Sequence, residues 1–122
     1  MALVLVVDDE IGLAELLAEI LTDEGHRVLV ATDGRQALEQ AMADRPDLVI
    51  TDFMMPIMDG GALLQALAAN PALAAIPVVV MSSMPETSVA ERCSGYVAFV
   101  RKPFKITRLV EVVEEFSRRA RG

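Results

Sequence analysis

Four short apolar runs in this chain each stop at a reactive polar residue, and that pattern restricts the fold more than any other feature. Leu3–Val7 leads into Asp8-Asp9, Leu48–Thr51 into Asp52, Val78–Met81 into Ser82-Ser83, and Phe99–Arg101 into Lys102-Pro103. Continuous apolar runs of this length suit strands buried on both faces. If they are neighbouring parallel strands, their carboxyl ends lie side by side. Three carboxylates, a hydroxyl and an ammonium then share one sheet edge, which is where open α/β folds bind ligands. Such a set suits a divalent metal and a phosphoryl group.

The segments between the runs read as helices. Ile11–Glu24 carries an apolar stripe of Leu13, Leu16, Leu17, Ile20 and Leu21, with Glu15, Glu19 and Asp23 off it, and Gly25 is a natural stop. Arg27–Ala31 reads as a further strand. Arg35–Ala43 is expected to be a helix with Ala37, Leu38, Ala41 and Met42 facing inward, broken by Pro46. Phe53–Gly60 is a loop, Gly61–Ala69 a helix, and the third apolar run reaches back to Ile76. Glu86–Ser94 is a weak helix with little apolar content, Ala98–Arg101 a strand, and Ile106–Arg119 a clear amphipathic helix. Five strands alternating with five helices predict an α/β fold, a parallel sheet covered on both faces.

Composition narrows the function classes. A chain of 122 residues with 53% hydrophobic and 24% charged content is expected to make one globular domain, without a second one. The net charge of −7 offers no basic field for nucleic-acid phosphates. The single cysteine, Cys93, excludes an intrachain disulfide and fits a reducing compartment. Ala2–Val7 is too short for a membrane span or signal segment, so a cytoplasmic protein is expected, with no membrane partner.

The residue types divide the chemistry among them. Crowded carboxylates at Asp8, Asp9 and Asp52 resist joint ionisation unless a cation joins them, and a hard ion such as Mg²⁺ takes oxygen ligands. Asp8-Asp9 would mostly hold metal, while Asp52 has the chemistry of a nucleophile toward phosphorus. Lys102 supplies a point charge and Ser82 a hydroxyl donor for the phosphoryl oxygens. Taken singly, each has a plainer reading. Asp-Asp after a strand is often a helix cap, Asp-x-x-x-Pro a turn, Ser82 a cap and Lys102 a solvated side chain. Four such residues at four strand ends are hard to explain that way.

Val-Val-Asp8-Asp9-Glu10, Asp52-Phe-Met-Met-Pro56-Ile-Met-Asp59-Gly60, Pro77-Val-Val-Val-Met-Ser82 and Lys102-Pro103-Phe104 occur in order along essentially the whole chain. With them the chain resembles the receiver domain of bacterial two-component response regulators, in a single-domain, chemotaxis-regulator-like form. The resemblance implies a doubly wound, flavodoxin-like sheet of order 2-1-3-4-5. It implies phosphorylation of Asp52 by a histidine kinase or phosphotransfer protein. It also implies Mg²⁺ held by Asp8 or Asp9, Asp52 and the backbone carbonyl of Met54, and phosphoryl contacts from Ser82 and Lys102. Lys102-Pro103 matches the family's cis-peptide position. Phe99 matches its switch aromatic, which turns into the space left when Ser82 moves toward the phosphoryl group. Unknown downstream proteins, and a homodimer of the phosphorylated form through the fourth and fifth helices, would be the partners.

The stretch 83–98 departs from the family pattern. Ser83 stands where alanine is usual, and Tyr96-Val97-Ala98 replaces the usual acidic residues. The fourth helix is expected to be short or mobile and to move on activation. Met54 and Met84, two residues after Asp52 and Ser82, flank the path of attacking water. Neither can orient water, so a long-lived phosphoryl group is expected. His26 reads as a surface loop residue, Cys93 as structural, Tyr96 as cover for the sheet end, and Arg118, Arg119 and Arg121 as a solvated basic helix end. Two competitors stand beside the switch. One is an aspartate-nucleophile phosphatase or related hydrolase, which needs a cap that 122 residues hardly provide. The other is a phosphorylation-independent interaction module.

Overall fold

The computed structural model describes residues 2–121, and for 119–121 the backbone only. The chain runs β1 (Leu3–Val7), α1 (Ile11–Asp23), β2 (Arg27–Ala31), α2 (Gly34–Ala43), β3 (Leu48–Asp52), α3 (Gly60–Ala69), β4 (Val78–Ser82), α4 (Glu86–Ala90), β5 (Ala98–Arg101) and α5 (Ile106–Arg121). All pairings are parallel, and the order is β2-β1-β3-β4-β5. The apolar runs are buried because successive strand side chains point to opposite faces and both faces are covered. Val4, Val6, Leu48, Ile50, Val79 and Met81 pack with Leu17 and Leu21 of α1 and Leu109, Val112 and Val113 of α5. Leu5, Val7, Val49, Val78 and Val80 pack on the other face with Ala37 and Ala41 of α2, Leu63, Leu64 and Leu67 of α3, and Val89 of α4.

Three expectations about burial need correction. Met42 is exposed, because α2 meets the sheet through its small residues Ala37 and Ala41, while Gly34 packs on Met58 of the loop after β3, and Met42 lies at the margin of that stripe. Leu16 is also exposed, with Leu17 and Leu21 taking the buried side of α1. His26 is buried: its Nδ1 accepts from the Ala2 N–H at 3.2 Å, and its Nε2 lies 3.1 Å from Glu114 Oε1 of α5. It fastens the start of β1 to the last helix.

The fourth helix ends at Ala90, four residues before the expected Ser94. Its buried residue is Val89, so little tertiary packing supports a longer helix. Arg118 donates to the Glu114 carbonyl at 3.2 Å on an exposed face. The side chains of Arg119 and Arg121, expected in the basic tail, lie outside the described residues.

Candidate functional site: an acidic pocket with a lysine

β1 and β3 lie side by side, and the helices that follow them, α1 and α3, pack on opposite faces of the sheet, so a crevice opens between their carboxyl ends, the place where doubly wound sheets bind ligands. Register brings the strand ends level. Val7 pairs with Thr51, Asp52 with Met81, and Ser82 with Arg101. Backbone bonds carry the ladder one step further, from Asp8 N–H to the Ala31 carbonyl at 3.1 Å and from Lys102 N–H to the Ser82 carbonyl at 2.8 Å. Asp8, Asp52, Ser82 and Lys102 therefore share one edge, as their positions after the apolar runs predict.

Lys102 is the hinge of the cluster. Its Nζ donates to Asp8 Oδ2 at 2.8 Å and lies 3.5 Å from Asp52 Oδ1. Asp8 is fully buried and its Oδ1 accepts from the Glu10 N–H at 2.9 Å. Asp52 is 9% exposed, and its Oδ1 accepts from the Phe53 N–H at 3.0 Å. Burial pushes the Asp52 carboxyl up to about 6; Lys102 pulls it down and the Asp8 charge adds to the rise. Burial would lower the Lys102 ammonium, but the Asp8 hydrogen bond and the Asp52 and Asp8 charges outweigh it and raise its pKa. One lysine thus faces more than one acid.

One carboxylate oxygen each from Asp8, Asp9 and Asp52 lies within 4.8 Å of the others, with Asp9 on the exposed side. Crowded acids with a raised Asp52 are a donor set that a hard divalent cation relieves, so the residues fit Mg²⁺. Met54 follows in the exposed part of the loop after β3.

The loop itself is fixed by backbone contacts that the sequence signals only as Asp59-Gly60. Gly60 N–H donates to the Phe53 carbonyl at 2.8 Å, and a Cβ on Gly60 would lie 2.8 Å from the Asp52 carbonyl oxygen. Only glycine fits that approach. Asp59 caps α3 by accepting from the Ala62 N–H at 2.8 Å.

On the other half of the edge, Ser82 is buried and its Oγ accepts from the Met84 N–H at 3.0 Å. Met84 is half-buried. Phe99 is half-buried against Tyr96, with ring centroids 6.4 Å apart and tilted by 52°. Tyr96 donates its hydroxyl to Glu86 Oε2 at 3.2 Å, so it braces α4 as well as covering the sheet end. The Lys102-Pro103 peptide is cis. Cys93 lies beside α3, its thiol pushed up by burial and by Asp59, which suits an inert structural residue.

The model of the response regulator receiver domain matches residues 4–114. The chain belongs to the response regulator receiver domain family. The receiver is 39% identical over 118 residues to the DNA-binding response regulator MtrA of Mycolicibacterium smegmatis, covering 95% of this chain and 50% of that protein. It is 35% identical over 114 residues to the transcriptional regulatory protein PdtaR of Mycobacterium tuberculosis, covering 91% and 54%. The chain thus spans about half the length of the curated relatives it matches. Among solved structures it superposes on the chemotaxis response regulator CheY4 of Vibrio cholerae with a TM-score of 0.87, 30% identity and coverage of 95% and 98%. The receiver domain of a signal transduction histidine kinase from Syntrophus aciditrophicus gives 0.87 at 34% identity, covering 96% and 90%. Receivers are signalling switches rather than ordinary enzymes. Among the described residues, no helix of this one is long and apolar enough to cross a membrane.

Proposed function

We propose that residues 1–122 act as a phosphoacceptor unit. Asp52 takes a phosphoryl group from a phosphohistidine of a histidine kinase or phosphotransfer protein, and the surface change is read by a downstream protein. The observation that carries this reading is the Asp52 carboxylate itself, set at the end of β3 between an acid pair and the Lys102 ammonium.

An Asp52 carboxylate oxygen attacks phosphorus. The new O–P bond forms as the P–N bond breaks, and the bonding pair leaves with the imidazole, which takes up a proton. Lys102 balances charge on the peripheral phosphoryl oxygens, and the Ser82 hydroxyl donates to one of them. Asp8, Asp9, Asp52 and the Met54 carbonyl would hold Mg²⁺, which when bound neutralises the crowded acids and the phosphoryl oxygens. Phe99 follows Ser82 inward, and α4, β5 and α5 carry the changed surface, where the phosphorylated form would also pair with itself. Water later attacks phosphorus and releases phosphate, restoring the carboxylate; Met54 and Met84 slow that step by shielding.

An apolar groove of about 490 Å³ opens beside Lys102, lined by Leu13, Leu16, Phe104 and Ile106 among others. It supports docking of a helical phosphodonor and gives the exposed Leu16 a use. The chain's lone cysteine and acidic surface support a cytoplasmic setting without direct nucleic-acid contact. Incubation with a small phosphodonor and Mg²⁺, in the native chain and Asp52→Asn, tests the reading. Stable labelling that needs Asp52 supports it. Rapid phosphate release without stable label points to a hydrolase, and no labelling points to a binding module.

A further inference from the structure

We propose that Arg101 is a positioning residue that holds the Ser82 hydroxyl in its resting place by latching one peptide group. The inference rests on the phosphoacceptor reading and adds a regulatory element to it.

The ladder between β4 and β5 ends at Ser82 opposite Arg101. Ser83 is the first residue beyond it, and from there to Pro85 the chain is irregular. Arg101 Nε reaches back and donates to the Ser83 carbonyl at 2.9 Å. The N–H at the other end of the same peptide group is that of Met84, which donates to Ser82 Oγ at 3.0 Å. A trans peptide is planar and its C=O and N–H point in opposite directions. Fixing the carbonyl outward on Arg101 therefore fixes the N–H inward on Ser82.

The Ser82 hydroxyl is the group that must serve a phosphoryl group on Asp52. While the latch holds, its oxygen carries the Met84 N–H and the loop stays where that bond needs it. Releasing the carbonyl lets the peptide plane rotate, and Ser82 is then free to turn. The half-buried Met84 side chain packs on the core and limits large movements, but α4 is five residues long and buries Val89, so the peptide plane can turn without unpacking a long helix. Tyr96 on Glu86 fastens the next part of the segment, not this peptide. The latch sits beside Lys102 in sequence, so the strand that supplies the phosphoryl clamp also sets the resting state of the reporter hydroxyl.

Three substitutions separate the hydrogen bond from the charge. In Arg101→Gln, the amide nitrogen sits the same number of bonds from the backbone as arginine Nε, so the donor remains while the charge is lost. Arg101→Ala and Arg101→Met remove the donor. Amide exchange of Met84, measured without any phosphodonor, is expected to rise about three- to five-fold in the Ala and Met variants, the ratio expected for one net hydrogen bond, and to stay at the native rate in Arg101→Gln. Affinity for beryllofluoride with Mg²⁺, followed by amide NMR, should tighten by a similar factor in the same two variants. If Arg101→Gln behaves like Arg101→Ala, or if Met84 exchange is unchanged in all three, the latch is wrong. If the native chain gives no beryllofluoride response at all while the exchange effect appears, the phosphoacceptor reading fails and the peptide latch alone survives.

Discussion

The half of the sheet edge that carries the acids and the half that carries the hydroxyl are anchored very differently. α3, which follows Asp52, buries Gly60, Gly61, Leu63, Leu64 and Leu67 and is capped by Asp59. α4, which follows Ser82, has five residues, buries Val89, and starts at Pro85 without a side-chain cap. On the acid side, Phe53 N–H, Glu10 N–H and Lys102 hold the carboxylates in place. On the hydroxyl side, the exposed contacts Arg101–Ser83 and Tyr96–Glu86 tie the segment down. Chemistry needs fixed geometry, whereas a signal needs an element with a small free-energy gap between two positions. Under the proposed function, this receiver places the two demands on adjacent strands.

The sharpest way to break the contrast is to truncate one core residue on each side. Leu63→Ala in α3 is expected to cost about 3 kcal/mol in chemical denaturation, the usual range for a fully buried leucine. Val89→Ala in α4 is expected to cost about 1.5 kcal/mol or less. Equal losses would mean that α4 is as well anchored as α3.

The acid side carries its own strain. Asp52 binds its proton more tightly in the folded chain than in the unfolded one, with a pKa about 6 against an ordinary 3.8. The stability this gives is full below pH 4 and is lost as pH rises through about 6. Without divalent cation, Asp52→Asn should therefore be more stable than the native chain by about 3 kcal/mol at pH 7, and the gap should close by pH 4. Mg²⁺ should narrow it by stabilising the native chain. A gap that does not change with pH would remove the crowded-acid account.

Hydrogen exchange sharpens the same comparison without mutation. Amides of α4 should exchange at least about ten-fold faster than those in the centre of α5. Equal protection in the unphosphorylated protein would contradict a soft fourth helix. The smallest effect concerns the phosphoryl lifetime. Met84→Asn should speed hydrolysis of the phosphorylated chain several-fold, and an unchanged or slower rate would end the shielding idea.

The contrast also explains what the sequence made legible. Strands buried on both faces leave continuous apolar runs, so their ends and the residues just beyond them, Asp8, Asp52, Ser82 and Lys102, could be placed from local pattern. Where position depends on distant contacts, pattern failed. His26 is buried because Ala2 and Glu114 converge on it, and the partner in α5 is 88 residues away. Met42 is outside because α2 presents small residues to the sheet, which apolar periodicity does not separate from large ones. The early end of α4 was signalled only as weak apolar content. The orientation of the Ser82 hydroxyl depends on one peptide plane, and no residue pattern encodes that.

The central claim is that Asp52 is the phosphoacceptor, and chemical trapping tests it most directly. Borohydride reduces an aspartyl phosphate to homoserine, marking the residue that carried it. After incubation with a small phosphodonor and Mg²⁺, peptide mass spectrometry should find homoserine at position 52. Homoserine at Asp8 or Asp9, or at no position despite an active donor, would contradict the account.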